Sequence, residues 1–436
     1  MEPTHLATGA LTLLFPRTRN LAEVDDDCPA APPRGSCPRC WVVKVKCKRS
    51  PGLPCQACIA HQIPQSLCDI DRITRYKPFE KWQNGLYERQ FTDVTGTMPG
   101  AYETATLQHY TDGPTLEVNC CPFSPIRKNQ FYVCKKDRIG WHPAKTTAYC
   151  LATTELDLKT YVKSCMKSTI AESCRAKSPT SFMFILAGWT GGPLIYQCFE
   201  LYTTLVLLQR GWRLRQPALG MSSIQDESSA WHGAMPAPRM VQNQLGHLLE
   251  LRMVELDAEI LRALHKLIAK RHILNWLEVT LAIFLLLHVR ELDAARIIYW
   301  KRYRDTGGFW IHPTKPAALI NEEVFSCKAL LWHYHCAYPQ QPLAFNWDAP
   351  TSRQKLEEDE KLINSMRYLQ KFVSALRRWF QSVWISASDH LIGEGSLIGR
   401  KAADLYVDGK PESVAFSISS LIFENREDGF EAGAFA

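Results

Sequence analysis

Six cysteines, Cys37, Cys40, Cys47, Cys55, Cys58 and Cys68, stand in the pattern C-x2-C-x6-C-x7-C-x2-C-x9-C. A C-x2-C pair can offer two thiolates to one metal ion, because the short turn brings both sulfurs to one side, and zinc takes four such ligands in a tetrahedron. The pattern also reads as two half-units, each a C-x2-C followed by a lone cysteine. Six thiolates saturate two zinc ions only if two of them bridge. One four-cysteine zinc site, or a chance cluster in a chain with 16 cysteines, are the alternatives. No secretory signal is evident: the apolar run 6–15 has no basic flank and no small-residue cleavage site. Reduced thiols are therefore expected, and clustered cysteines then point to metal before disulfide.

Charge is concentrated in the same place. From Cys28 to Cys68 the basic residues are Arg34, Arg39, Lys44, Lys46, Lys48 and Arg49, with no Asp or Glu. Taking those six from the 51 Lys and Arg leaves 45 basic against 44 acidic residues elsewhere. A near-neutral body with one compact basic segment suits a polyanion partner, of which nucleic acid is the usual one. The bases lie in the first half-unit or just after it, while 55–68 has no Lys or Arg. Contact with DNA would therefore fall to the first half.

In this cysteine spacing the sequence resembles the fungal binuclear zinc cluster transcription regulators, whose pattern is C-x2-C-x6-C, a loop that often ends in proline, then C-x2-C-x6-8-C. Pro54 directly precedes Cys55, as that loop proline does. The resemblance implies two zinc ions, with Cys37 and Cys55 bridging. Cys40 and Cys47 would complete one site, Cys58 and Cys68 the other. It further implies that a short helix after the second cysteine enters the major groove. Lys44, three residues before the third cysteine, would then donate to the O6 and N7 acceptors of guanine. Lys46, Lys48 and Arg49 would be phosphate contacts, which position without specifying. The sequence departs from the family in three places. Trp41 and Val43 occupy positions that are usually basic; the last spacing is x9; and no heptad run follows the cluster. A monomer, or a dimer formed through the helical region, fits better than a coiled coil.

The elements that must carry this module are mostly helical. Hydrophobic spacing predicts long helices over 194–213, 239–271, 273–304, 316–336 and 353–384. Short strands are expected at 115–118 and 130–133, and loops at 216–238 and 339–352. The expected architecture is mostly α: a small N-terminal binuclear zinc module, then a large helical domain with a minor β or irregular region. Its divisions are a disordered leader over 1–33, the zinc module over 34–72, a mixed linker region over 73–180, a helical regulatory domain over 181–400 and an acidic-aromatic tail over 401–436. The apolar stretches 181–199 and 273–289 are read as buried helices and not membrane spans. The first is broken by Gly191-Gly192-Pro193, and the second has 17 residues with Glu278 inside.

Other candidates carry less. His333, His335 and Cys336 are expected to be core or surface residues, since positions 333 and 335 do not share a helix face. Cys120-Cys121 is an adjacent pair of a kind that seldom chelates one metal, and Cys28 is read as a non-ligand. No acid–base pair or nucleophile motif suggests an enzyme. The stretches 194–212, 236–253 and 276–291 resemble a fungal subset that couples the zinc module to a helical region of unassigned activity. That likeness implies a body that receives a co-regulator or the transcription machinery. The expectation is a nuclear, sequence-specific, double-stranded-DNA-binding regulator of RNA polymerase II transcription. The alternative is a zinc-stabilised protein-interaction module that no longer reads DNA.

Overall fold

A computed structural model describes residues 36–371, apart from short internal stretches of which 49–52, 88–93, 127–129, 137–140, 176–178, 228–231, 306–311, 339–345 and 354–358 are the main ones. The leader 1–33, Arg49, the tail 401–436 and most of the helix expected over 353–384 lie outside the described residues.

The described chain opens with three short helices, α1 (Pro38–Val42), α2 (Gln56–Ile59) and α3 (Gln65–Cys68), followed by two 3-10 turns, Ile73–Arg75 and Pro78–Gln83. Strands come next: β1 (Glu103–Gln108), β2 (Thr115–Pro122), β3 (Tyr132–Lys136), β4 (Trp141–Lys145) and β5 (Tyr149–Leu151). Then follow helices α4 (Leu158–Arg175), α5 (Pro179–Thr190) and α6 (Pro193–Arg210), and the two-residue strands β6 (Arg213–Leu214) and β7 (Met235–Pro236). The long helices α7 (Arg239–Lys270), α8 (Trp276–Asp305) and α9 (Pro316–Ala337) complete the body, and α10 (Pro350–Arg353) follows them.

Five strands form one antiparallel sheet in the order β5-β2-β1-β6-β7, while β3 and β4 pair separately as a hairpin. The inward residues Ala105, Leu107, Val118 and Cys120 of β1 and β2 join Trp212 and Leu214 against Val241, Leu245 and Leu249 of α7. The helices build a second, larger core. Leu256, Ile260, Leu264 and Ile268 of α7 meet Ile283, Phe284 and Leu287 of α8 and Leu330, Leu331 and Tyr334 of α9.

Four of the five predicted helices are present within a few residues of their expected ends. Gly191 and Gly192 end α5 with φ of +64° and +100°, and Pro193 starts α6. A Cβ on Gly192 would stand 2.7 Å from Glu278 Oε1, so the break also makes room for α8. Among the described residues no helix is long and apolar enough to cross a membrane. Helix α4, 18 residues long, lies in the region expected to be mixed. Its buried stripe includes Val162, Cys165, Met166, Thr169 and Ile170, where Cys and Thr disguise the apolar period.

The chain between the cysteines and the sheet is fastened by buried charge. Lys81 Nζ lies 2.6 Å from Asp293 Oδ2 of α8 and pairs with Glu323 of α9. Asp293 also accepts from Trp82 Nε1 at 3.2 Å and from Arg296 Nε at 3.0 Å. Arg296 Nη1 donates to Glu250 of α7 at 3.1 Å, Tyr87 donates to the same carboxylate at 3.0 Å, and the Arg296 guanidinium lies 4.0 Å from the Trp82 ring centre. A buried carboxylate is tolerated only when paired and hydrogen-bonded. Burial pushes Glu323 up to about 7 against the pull of Lys81. Asp293, despite the same burial, is held at about 2 by Lys81 and Arg296.

Candidate metal centre

The two half-units are built alike. Cys37 N-caps α1 and its Sγ accepts from the Cys40 amide, with Pro38 at the first helical position. Cys55 stands at the N-cap of α2. The Cys37 amide donates to Cys47 Sγ at 3.4 Å, and the Cys55 amide donates to Cys68 Sγ at 3.3 Å. In each half-unit, then, the first cysteine holds the third through its backbone and starts a short helix that carries the second.

The six sulfurs converge in two overlapping sets. Cys37, Cys40, Cys47 and Cys55 form one, and Cys37, Cys55, Cys58 and Cys68 form the other; within each set the Sγ atoms all lie within 4.8 Å of one another. Cys37 and Cys55 belong to both. Their sulfurs are 4.0 Å apart, with Cys37–Cys58 and Cys40–Cys55 both at 3.5 Å. A zinc–sulfur bond of about 2.3 Å gives a tetrahedron with an edge of about 3.8 Å, so these separations suit ligands of a shared ion. Five of the six are shielded from water: Cys37, Cys40, Cys55 and Cys58 are fully buried and Cys68 nearly so, while Cys47 is half-buried. Burial drives the Cys37, Cys40 and Cys58 thiols far up from their ordinary range. Cys55 is the exception. Against the same burial, hydrogen bonds from the Cys58 amide and the neighbouring thiols bring it to about 6. Burial makes Cys37, Cys40, Cys58 and Cys68 resist ionisation, and a divalent cation is the group that reverses this.

Lys44, Lys46 and Lys48 are exposed. They do not lie on α1, which ends at Val42. Lys44 has φ of +57°, in the left-handed region, and the Val45 amide turns back to Cys40 O at 3.0 Å, which stops the helix. The lysines therefore occupy the non-helical segment after the helix.

Trp41 explains the rest of this geometry. Its ring stacks on His265 of α7, with centroids 4.2 Å apart and planes 5° from parallel, and meets His333 of α9 edge-on at 6.3 Å. Arg271 Nη1 donates to Val42 O at 3.4 Å. The cysteine module is thus seated on the helical body, and one hydrophobic core runs through both. Sequence reasoning missed Trp41, His265 and Arg271 as an interface. The signal was present, since an aromatic residue stood where a basic one is usual.

His333 and His335 are buried in α9, and His333 Nδ1 lies 2.8 Å from Ala329 O. Cys121 and Cys150 face each other across β2 and β5 with sulfurs 3.5 Å apart, while Cys120 turns to the other side of the sheet.

A family model described as the KpeA transcription factor matches residues 86–390. The chain belongs to the KpeA transcription factor family. No curated protein and no solved structure matches it. The match covers the sheet and the helical body and begins after Cys68, so membership of the KpeA family establishes a transcription regulator while leaving the cysteine module to its own geometry.

Proposed function

We propose that this KpeA-family protein is a nuclear, sequence-specific DNA-binding regulator that grips DNA through a two-zinc, six-cysteine module. The observation that supports this most is the convergence of six sulfurs into two four-sulfur sets sharing Cys37 and Cys55, beside three exposed lysines. Cys40 and Cys47 would complete one zinc site, Cys58 and Cys68 the other. The ions would fix the fold of the module and offset its thiolates; the contact to DNA belongs to the chain. With Trp41 stacked on the body, base contact falls to the 44–48 segment, with Lys44 as the reader and Lys46, Lys48 and Arg49 on phosphates. The body carries no role in catalysis in this reading and serves a co-regulator or the transcription machinery.

The test selects duplex sites with the zinc-loaded full chain and then compares Lys44→Ala. The variant should lose about 1–3 kcal/mol on the selected site and less on random DNA. Equal losses on both would remove Lys44 as a reader. A second reading, a zinc-stabilised protein-interaction module, is favoured by one observation: the Trp41 side of α1 is already covered by α7 and α9. That reading prevails if the zinc-loaded chain enriches no site and shows little salt dependence on random DNA.

A further inference from the structure

The seat of the cysteine module on the body places a second basic segment beside the first. Helix α7 ends in the sequence Leu261-Arg262-Ala263-Leu264-His265-Lys266-Leu267-Ile268-Ala269-Lys270-Arg271-His272, which has no Asp or Glu; the next acidic residue is Glu278. Arg262, Lys266, Lys270 and Arg271 are exposed. The first three recur every four residues and so share one stripe of the helix. Among the described residues no carboxylate forms an ion pair with Arg262, Lys266 or Lys270. This charge sits at the C-terminal end of a helix, where the helix dipole favours cations. The partner that the stripe lacks among the described residues is an anion.

Its position follows from contacts already described. Lys266 is next to His265, on which Trp41 stacks, and Lys270 is next to Arg271, which holds Val42 O. Lys44 lies two residues beyond Val42, no more than about 7 Å of chain away. Charges within one Debye length of each other, about 8–10 Å at ordinary salt, act as a single field.

We infer that the DNA-contacting surface of this protein is composite: Lys44, Lys46 and Lys48 of the cysteine module and Lys266, Lys270 and Arg271 at the end of α7 form one continuous strip, in which Lys44 meets bases and the others meet phosphates. The inference rests on the reading that the module binds DNA. It goes beyond it by giving the helical body a direct share in the contact. It also gives the Trp41 seat a purpose, since the stack holds the two basic segments in register. The contacts from α7 would be to phosphate and so independent of sequence.

The experiment uses the zinc-loaded full chain on a selected duplex of about 30 base pairs and on a random duplex, with affinity measured across a salt series. Each phosphate contact adds about 0.9 to the slope of log affinity against log salt. Lys266→Gln with Lys270→Gln should lower that slope by about 2 and weaken both duplexes by the same factor, about tenfold or more near physiological salt, with thermal melting unchanged. Lys46→Gln with Lys48→Gln serves as the reference for contacts made by the module itself. An unchanged slope for the α7 pair, beside a lowered slope for the module pair, would overturn the composite surface and leave the DNA-binding reading standing. A full chain with no measurable affinity for either duplex would overturn both.

Discussion

Two places in this molecule gather buried groups that would repel one another, and they solve the problem in opposite ways. The ion-pair cluster around Lys81 collects Asp293, Glu323 and Glu250 and supplies the compensating charge from the same chain, through Lys81 and Arg296. The cysteine cluster collects six sulfurs and, among the described residues, has no cationic side chain between them. Lys44, Lys46 and Lys48 stay in solvent. The first draws its cations from within the chain, and its role is to pin residues 78–87 onto α7, α8 and α9. The second, in the function proposed, takes its cations from outside, which leaves the lysines beside it available to another anion.

This difference makes distinct predictions for the two sites. The largest effect is expected at Lys81. Lys81→Ala strands the buried Glu323 carboxylate and takes one of two cations from Asp293, and should lower unfolding stability by about 3–5 kcal/mol in denaturant titration; a loss under 1 kcal/mol would mean that water reaches the cluster. Next is the pH response of Glu323. Its folded pKa of about 7 lies above the ordinary 4.5, so the stability it contributes is complete below pH 4.5 and is lost as pH rises through 7. Asp293 is depressed to about 2, and its contribution is lost only as pH falls from about 4 towards 2. The parent protein should therefore weaken by a few kcal/mol between pH 4.5 and 7, and Glu323→Gln should flatten that decline; identical pH profiles would refute the raised carboxyl.

Smaller effects test the seat of the module. Trp41→Ala should cost about 1–3 kcal/mol in module docking, the stack plus its buried area, and appear as faster amide exchange over residues 38–48 with the body unaffected. Unchanged exchange there would show that the His265 stack does not hold the module. The smallest change is expected from Tyr87→Phe, which removes one hydrogen bond to a Glu250 that Arg296 still holds, for about 1 kcal/mol. A loss as large as that of Lys81→Ala would mean that Tyr87, and not the cation, anchors the segment.

The same comparison explains what was legible in the sequence. The cysteine cluster is written locally: all six positions fall within 32 residues, and C-x2-C spacing carries its own geometry. The long helices were legible for a similar reason, since Leu245, Leu249, Met253, Leu256 and Ile260 repeat on one face of α7. The ion-pair cluster was not. Lys81 and Glu323 are 242 positions apart, and nothing near either residue marks it as buried. The sheet was only partly visible, because β6 and β7 have two residues each and exist through pairing with β1 and with each other. Trp41 was noticed as a departure in a DNA-binding pattern, yet its meaning depended on His265, more than 200 residues away. The lysines expected on a groove-entering helix lie just beyond it, because Lys44 takes a left-handed turn that spacing alone does not reveal.

The claim on which the account turns is that two ions share six sulfurs through Cys37 and Cys55. Zinc per chain, measured on the purified full chain beside Cys40→Ser and Cys55→Ser, tests it directly. The parent should hold two zinc ions, keep one when the unshared Cys40 is lost, and fall below one when the shared Cys55 is lost. One zinc in the parent, or equal losses in the two variants, would contradict it.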